Sequence, residues 1–455
     1  METNHIQNFL NSYSWKMVIV SGLAIVLLIP SFLIQDIIRE RITLSEEVKN
    51  ELYGHWGGRQ VIAGPVLNVP YSVPESGQGN AGLTNSGLVN PAPGIAGVST
   101  TGFYERRGVA HFLPEFLRTD ATLYPETRNR GTYKVVVYEG RVHIKASFAP
   151  PDVSNLDLQN AKYNWDAAYF TIGISDMRGL KNLPEPIIND QKYVVNPGVA
   201  DTDLFQSGLT VKTGPLDPGL PIEFDVELVL NGSENLSVEV LGKKSEVFMA
   251  SDWPTPGFSG GFLPDDRSVS SDGFNASWQV THLNRNFPQQ WVDSKFNTHD
   301  ALLGVDLLIP IDHYQKSMRS VKYAILFIAL NFITFIFIEI KSNTRIHPFQ
   351  YTLVAFALLT FYTLLISLGE QIGFNLAYLI SAVAVTALIS WYAAGILKDR
   401  RTASLVTLLQ TGLYLFLFTI LQLQDYAMLA GSVGLFLILG IIMWGSQKVK
   451  WYPED

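Results

Sequence analysis

The chain has 455 residues, with 33 Lys and Arg against 41 Asp and Glu, a formal net charge of -8 and no cysteine. An acidic chain without a Lys/Arg run excludes nucleic acid as a partner, because neutralising phosphates takes clustered cations. Zero cysteines exclude disulfides, thiolate metal sites and cysteine nucleophiles together.

Residues 1–16 lead into a charge-free apolar stretch from Met17 to Ile34. A bilayer core about 30 Å thick takes roughly 20 helical residues, so 17–34 reads as a first transmembrane helix. No small-x-small cleavage pattern follows, which favours an anchor over a cleaved signal peptide. Pro30 predicts a kink near its far end. The polar, helix-like QDIIRERITLSEEVKNEL comes next.

Beyond Leu52 helical periodicity gives way to period-two alternation. In Tyr133 to Phe148 (YKVVVYEGRVHIKASF), Val142, Ile144, Ala146 and Phe148 share one face, and Glu139-Gly140 reads as the turn of a hairpin. The pattern returns with Ile222, Phe224, Val226, Leu228 and Leu230, then Asn231-Gly232 as a turn, then Leu236, Val238 and Val240. Phe274, Ala276, Trp278 and Val280 make a third apolar face. Residues 35–320 are therefore expected to form a large, mostly antiparallel, sandwich-like β domain. Within it, 74–102 are Gly, Ser, Asn, Thr and Pro with scattered apolar residues, and read as a flexible loop.

Five further apolar stretches follow at 323–340, 351–368, 376–397, 405–423 and 427–444, making six transmembrane helices, with a tail at 445–455. Their connections alternate in charge: Lys341 and Arg345, then Glu370, then Lys398, Arg400 and Arg401 beside Asp399, then Asp425, then Lys448 and Lys450. By the positive-inside rule the cationic connections and Lys16 are cytoplasmic, so both termini lie inside and 35–320 outside. Tyr351, Tyr362, Tyr378, Trp391, Trp444 and Trp451, at or near span ends, read as an interfacial belt. The first span is expected to pack on the other five.

The search for chemistry yields little. Gly257-Phe258-Ser259-Gly260-Gly261 matches G-x-S-x-G, but prolines flank it where a nucleophile elbow needs a strand and then a helix. Ser259 thus reads as a turn residue, with a periplasmic serine hydrolase as the minor alternative. The histidines show no metal-ligand spacing and no motif for a cofactor occurs, so neither metal nor cofactor is expected. In the spans, Asn331 and Gln410 are the candidate intramembrane polar contacts, through interhelical hydrogen bonds. Glu339 lies near enough to the inner end to reach the interface. Lys316, Arg319 and Lys322, just outside the membrane against the positive-inside tendency, are candidate contacts for lipid headgroups or partner acids.

Distinctive stretches occur along the chain: Trp15-Lys16-Met17, LIPSFLI running into RERI, Gly64 to Pro70 (GPVLNVP), and His111 to Glu115 (HFLPE). Further along come Ile174 to Leu180 (ISDMRGL), Ser251 to Pro264 (SDWPTPGFSGGFLP), Gly273 to Trp278, Pro310 to Ile328 and His347 to Val354 (HPFQYTLV). With these stretches the whole pattern resembles the CreD family of bacterial inner-membrane proteins, described as cell envelope integrity proteins. The resemblance implies an inner-membrane location, a periplasmic domain and a response to envelope or β-lactam stress; it supplies no reaction. The expectation is a non-enzymatic protein of the inner membrane whose periplasmic domain contacts envelope proteins or cell-wall components. The runner-up is a membrane-embedded carrier or lipid-handling protein using the C-terminal bundle.

Overall fold

The computed structural model describes residues 13–77, 102–131, 133–156, 158–200, 202, 204–293, 296–309, 313–342, 346–397, 400–423 and 426–447. Two units result, Met1–Glu47 with Pro310–Asp455, and Val48–Ile309.

The helices are α1 Tyr13–Val26, α2 Leu28–Trp56, α3 His313–Lys322, α4 Ala324–Ser342, α5 Pro348–Ile372, α6 Phe374–Leu397, α7 Arg400–Gln422 and α8 Ala427–Ser446. Among the described residues five are long and apolar enough to cross a membrane, or six if α3 and α4, bent by 46°, form one span. Where a kink was expected, the helix shows a one-residue interruption at Leu27, one turn before Pro30, and Val18–Trp56 otherwise runs as one span. Pro30 has no N–H for the carbonyl of Val26, and the helix stops at Val26 and restarts at Leu28. It then runs on to Trp56, so the boundary expected at Ile34 is not a structural break.

Local chemistry sets α5. The His347 ring accepts from the Phe349 N–H at 3.2 Å, Gln350 accepts from the His347 N–H at 2.9 Å, and Pro348 opens the first turn. That is the physical content of the HPFQ stretch. Gly373, at φ 79°, ends the helix. Val20, Leu27, Ser31, Ile34 and Ile38 form a buried stripe at helical spacing, and α1 packs on α4 and α5. The first span thus joins the bundle, as expected.

The aromatic belt needs correction. Tyr351, Tyr362 and Tyr378 are only 3%, 0% and 4% exposed and face the bundle interior, whereas Trp391 and Trp444 lie on its surface. Trp451 lies outside the described residues. On α5 the buried Tyr351, Val354, Leu358, Tyr362, Leu365 and Gly369 follow one helical stripe, and position within the helix overrides the amphipathic tendency of a tyrosine.

Among the described residues the second unit has eighteen strands: β1 Gln60–Gly77, β2 Gly102–Phe112, β3 Phe116–Arg130, β4 Tyr133–Phe148, β5 Lys162–Tyr163, β6 Tyr169–Ile174, β7 Ile187–Ile188, β8 Gln191–Lys192, β9 Val195–Pro197, β10 Gly208–Lys212, β11 Ile222–Ser233, β12 Asn235–Glu239, β13 Lys244–Ser251, β14 Pro256–Gly260, β15 Asp266–Ser270, β16 Gly273–Thr281, β17 Gln290–Val292 and β18 Leu302–Leu307. One sheet runs β14-β18-β12-β1-β6-β10-β9, with β2, β5 and β17 attached off that path; the other runs β15-β16-β13-β3-β4-β11-β7-β8. Only β1 with β12 and β13 with β3 pair in parallel among the described strands. Aromatic contacts tie the two faces together, Phe148 to Phe170 at 5.2 Å, Phe170 to Phe224 at 5.1 Å and Phe258 to Trp278 at 6.0 Å. The free edge strand β15 is exposed along its whole length, and the opposite edge is the short β7–β8 hairpin.

Two predicted hairpins are not hairpins. Tyr133–Phe148 is one continuous strand paired with β3 and β11, and the inward parity of Val136, Tyr138, Val142, Ile144, Ala146 and Phe148 passes through Gly140 unbroken. Asn231 and Gly232 lie inside β11, opposite Glu139 and Tyr138. The chain turns two residues later, at Glu234 (φ 60°), where it leaves one sheet for the other. Both glycines serve Tyr138. A Cβ on Gly232 would lie 2.3 Å from the Tyr138 ring, and one on Gly140 3.3 Å from it. The loop expected over 74–102 begins later, since Pro74 to Gly77 extend β1 and pair with β2 as far as Gly77 opposite Gly102; 78–101 lie outside the described residues.

Within the second unit, ISDMRGL holds the last turn of α2. Asp176 accepts from the Gly58 N–H at 3.0 Å and from Arg178 at 2.8 and 2.9 Å, while Arg178 donates to the Gly54 carbonyl at 2.9 Å. A guanidinium on a last-turn carbonyl satisfies an orphaned helix acceptor. Gln60 closes the joint by donating to the carbonyls of Asp176 and Asn231 at 3.0 and 2.9 Å.

Candidate functional site

The described residues hold no group of three or more His, Cys, Asp or Glu placed to bind a metal ion. Ser259 sits within β14, opposite Gly304 of β18, and its hydroxyl accepts from the Asn235 amide at 3.3 Å. Strand pairing holds it where a turn was expected, and no helix follows to make a nucleophile elbow. Ser259→Ala is expected to move stability by less than about 0.5 kcal/mol, and a fluorophosphonate probe should label neither form of the purified protein. Labelling of the parent alone would establish a reactive serine.

Two polar clusters are buried in the β unit. Asn68 of GPVLNVP and His111 of HFLPE meet at 2.7 Å, and the Asn68 amide donates to Thr171 at 2.9 Å. These matching stretches converge on a hydrogen-bonded core network. The other cluster was not legible in the sequence. Glu239, 1% exposed at the end of β12, accepts from Thr298 at 2.9 Å and contacts the His299 ring at 2.7 Å. Burial pushes its carboxyl up, against the opposing pull of His299 and Thr298. A carboxyl that titrates higher folded than unfolded favours the fold fully below about pH 4.3 and loses that contribution as pH rises through the raised value. Glu239→Gln removes the titration, so its urea midpoint should vary less between pH 4 and 7 than the parent's. Equal slopes would assign that dependence to other groups.

In the bundle, Asn331 is 2% exposed but donates back to the Phe327 carbonyl of its own helix at 2.8 Å, where an interhelical bond was expected. An amide one turn beyond a carbonyl reaches it without help from a neighbour. Gln410, also 2% exposed, lies one turn from Tyr414 on α7. The structure does not join Asn331 and Gln410 by a hydrogen bond; it builds an aromatic cluster around Phe361 instead. The rings of Tyr362, Tyr378 and Tyr414 lie 5.0, 5.2 and 4.8 Å from it, and the Tyr378 hydroxyl donates to the Tyr414 carbonyl at 2.7 Å. Tyr414 and Gln410 interact with one another along α7, while among the described residues the hydroxyls of Tyr362 and Ser381 have no hydrogen-bond partner. At hydrocarbon depth such groups need water or a ligand. Helical spacing on α5 was the available signal for Tyr362.

Glu339 is 4% exposed and accepts from Tyr351 at 2.9 Å, so it is held inside the bundle where an interfacial position was expected. On α3, Lys316 donates to Gln422 at 3.0 Å and lies 5.5 Å over the Phe374 ring. Arg319 is partly exposed and Lys322 exposed, and among the described residues neither has an acidic partner. Glu370 is taken up by Tyr314 at 3.1 Å and Arg41 at 3.6 Å.

Apolar helices of spanning length, together with a separate two-sheet β unit, define a polytopic membrane protein with a large domain outside the bilayer. The family model "Inner membrane protein CreD" matches residues 12–452. Inner membrane protein CreD of Escherichia coli is 31% identical over 451 residues, which cover 96% of this chain and 93% of that protein. The chain belongs to the CreD family of inner membrane proteins. Among solved structures, an M1 zinc metallopeptidase from Deinococcus radiodurans aligns at 10% identity over 43% of this chain and 42% of that one, with a TM-score of 0.20. Native yeast LTA4 hydrolase aligns at 9% identity over 48% and 35%, also with a TM-score of 0.20. Likeness at that level carries no argument about fold or chemistry.

Proposed function

We propose that this protein supports cell envelope integrity and the response to envelope stress through non-catalytic contacts of its β unit with envelope proteins or cell-wall components. In this reading both termini are cytoplasmic and the β unit is periplasmic, which the alternating charge of the connections supports. The observation that carries it is the β7–β8 edge of the second sheet. In the segments that lead into and out of this hairpin, Leu183 and Val194 are each 76% exposed, and Leu220, just before β11, is 57% exposed. Large exposed apolar side chains suit contact with the surface of a partner protein.

The test is photo-crosslinking in stressed cells from residues placed at Leu183 and Val194, and separately at Asn331 and Gln410, with mass spectrometry of the captured species. Protein or cell-wall adducts from the first pair are expected. Adducts of lipid or small molecules confined to the second pair would replace this reading with a carrier or lipid-handling protein, which the unpartnered hydroxyls of Tyr362 and Ser381 favour.

A further inference from the structure

We infer that the helical unit holds one anionic phospholipid, with its phosphate on Arg319 and Lys322 and one acyl chain in a groove between α4, α7 and α8. The inference goes beyond the envelope-contact reading and does not depend on it.

The groove is a cavity of about 230 Å³ lined by Tyr323, Leu326, Phe327 and Leu330 of the α4 side, Leu413, Phe416, Leu417 and Ile420 of α7, and Met428, Gly431, Ser432 and Leu435 of α8. Ser432 is the one hydroxyl apart from Tyr323, and no charge enters. Each helix contributes a stretch about 10 Å long at 1.5 Å per residue, so the three line one channel over a common depth. Gly431 supplies its width, because a Cβ there would meet nothing nearer than the Ile420 tip at 4.0 Å. Next to it Gly434 closes the packing, since a Cβ would lie 2.1 Å from the Phe416 ring. The α8 wall belongs to a helix whose Phe436 is 74% exposed and Leu437 59% exposed, and the groove-lining Met428 is itself 89% exposed. A channel open on that side meets lipid chains.

Charge selects the headgroup. Arg319 and Lys322 lie in the last turn of α3 and Tyr323 follows at once, so the two cations end the helix that leads in sequence to the groove-lining Tyr323, Leu326, Phe327 and Leu330. The helix bends by 46° at Tyr323, where α3 ends and α4 begins. Neighbouring polar groups are already engaged: Glu370 by Tyr314 and Arg41, and Gln422 by Lys316. Among the described residues Arg319 and Lys322 have no acidic partner. A phosphodiester without an ammonium group complements that pair better than a zwitterionic headgroup does, because the latter brings its own cation.

The test uses the full-length protein in nanodiscs of equal parts phosphatidylglycerol and phosphatidylethanolamine, released into native mass spectrometry. One phosphatidylglycerol per chain should be retained in preference to phosphatidylethanolamine. Arg319→Gln and Lys322→Gln should each reduce its occupancy constant about five-fold, as the loss of one surface cation implies. Gly431→Leu should abolish retention by filling the groove, while Lys316→Gln, whose ammonium is occupied by Gln422, should leave it intact. Equal retention of both lipids, or charge variants that bind as the parent does, would overturn the inference. So would a second copy of the chain in place of lipid.

Discussion

Replacing Tyr138 by alanine is expected to destabilise the β unit by about 4 kcal/mol, the range for removing a large buried aromatic. The ring is fully buried, its hydroxyl donates to the Asn235 carbonyl at 2.7 Å, and it covers the backbone of two glycines on neighbouring positions of β4 and β11. Gly232→Ala alone should also be severe, because the new methyl has no room beside that ring. In the Tyr138→Ala background the same methyl should be tolerated. The two changes are therefore expected to couple by about 2 kcal/mol in a double-mutant cycle, read by hydrogen exchange of β4 and β11 in the full-length protein. Additive losses would show that the glycines are there for another reason.

The Asp176–Arg178 contact at the end of α2 should make the β unit acid-sensitive. Arg178 pairing, helped by the N–H groups of Gly58 and Arg178 and opposed by burial, holds the Asp176 carboxyl down at about 2. A depressed carboxyl contributes stability above its unfolded value of about 3.9, and that contribution is lost as pH falls through the folded value. The shift would convert to about 2.5 kcal/mol, but the Arg178 side chain is 66% exposed and solvent screening reduces the expectation to about 1–2 kcal/mol. Asp176→Asn should therefore lower the urea midpoint at pH 7 and differ little from the parent near pH 2. A constant difference at both pH values would mean that packing, not the carboxylate, is lost.

Alternation carried the strand reading well where a strand's neighbours were ordinary. Ile222 to Leu230 and Phe274 to Val280 face the core as their spacing requires. It failed at Gly140 and Gly232, because a glycine marks a turn when its own backbone needs it and a strand interior when a ring across the ladder needs its space. The second reason is invisible without the partner. The bundle shows the same limit: Tyr351 and Tyr362 carried a legible helical stripe, yet end position was the weightier signal in the sequence. Asp176 and Gly58 lie 118 residues apart, and Glu239 and His299 lie 60 apart. Neither pair leaves a local spacing to read. The cationic run Lys316, Arg319 and Lys322 was legible, but the slot beside it came from α7 and α8.

The free margin of the second sheet has a bearing on how copies of this chain tolerate one another. At one side β15 offers five residues, Asp266 to Ser270, with Asp266 and Arg267 among them; at the other, β8 offers only Gln191 and Lys192. Newly made chains meet while their sheets are still incomplete, and a long, flat, uncharged margin would template stacking between them. Short margins carrying charges of both signs present too few unpaired backbone groups to seed a shared ladder, so crowding of this protein should end in monomeric folding more often than in aggregates.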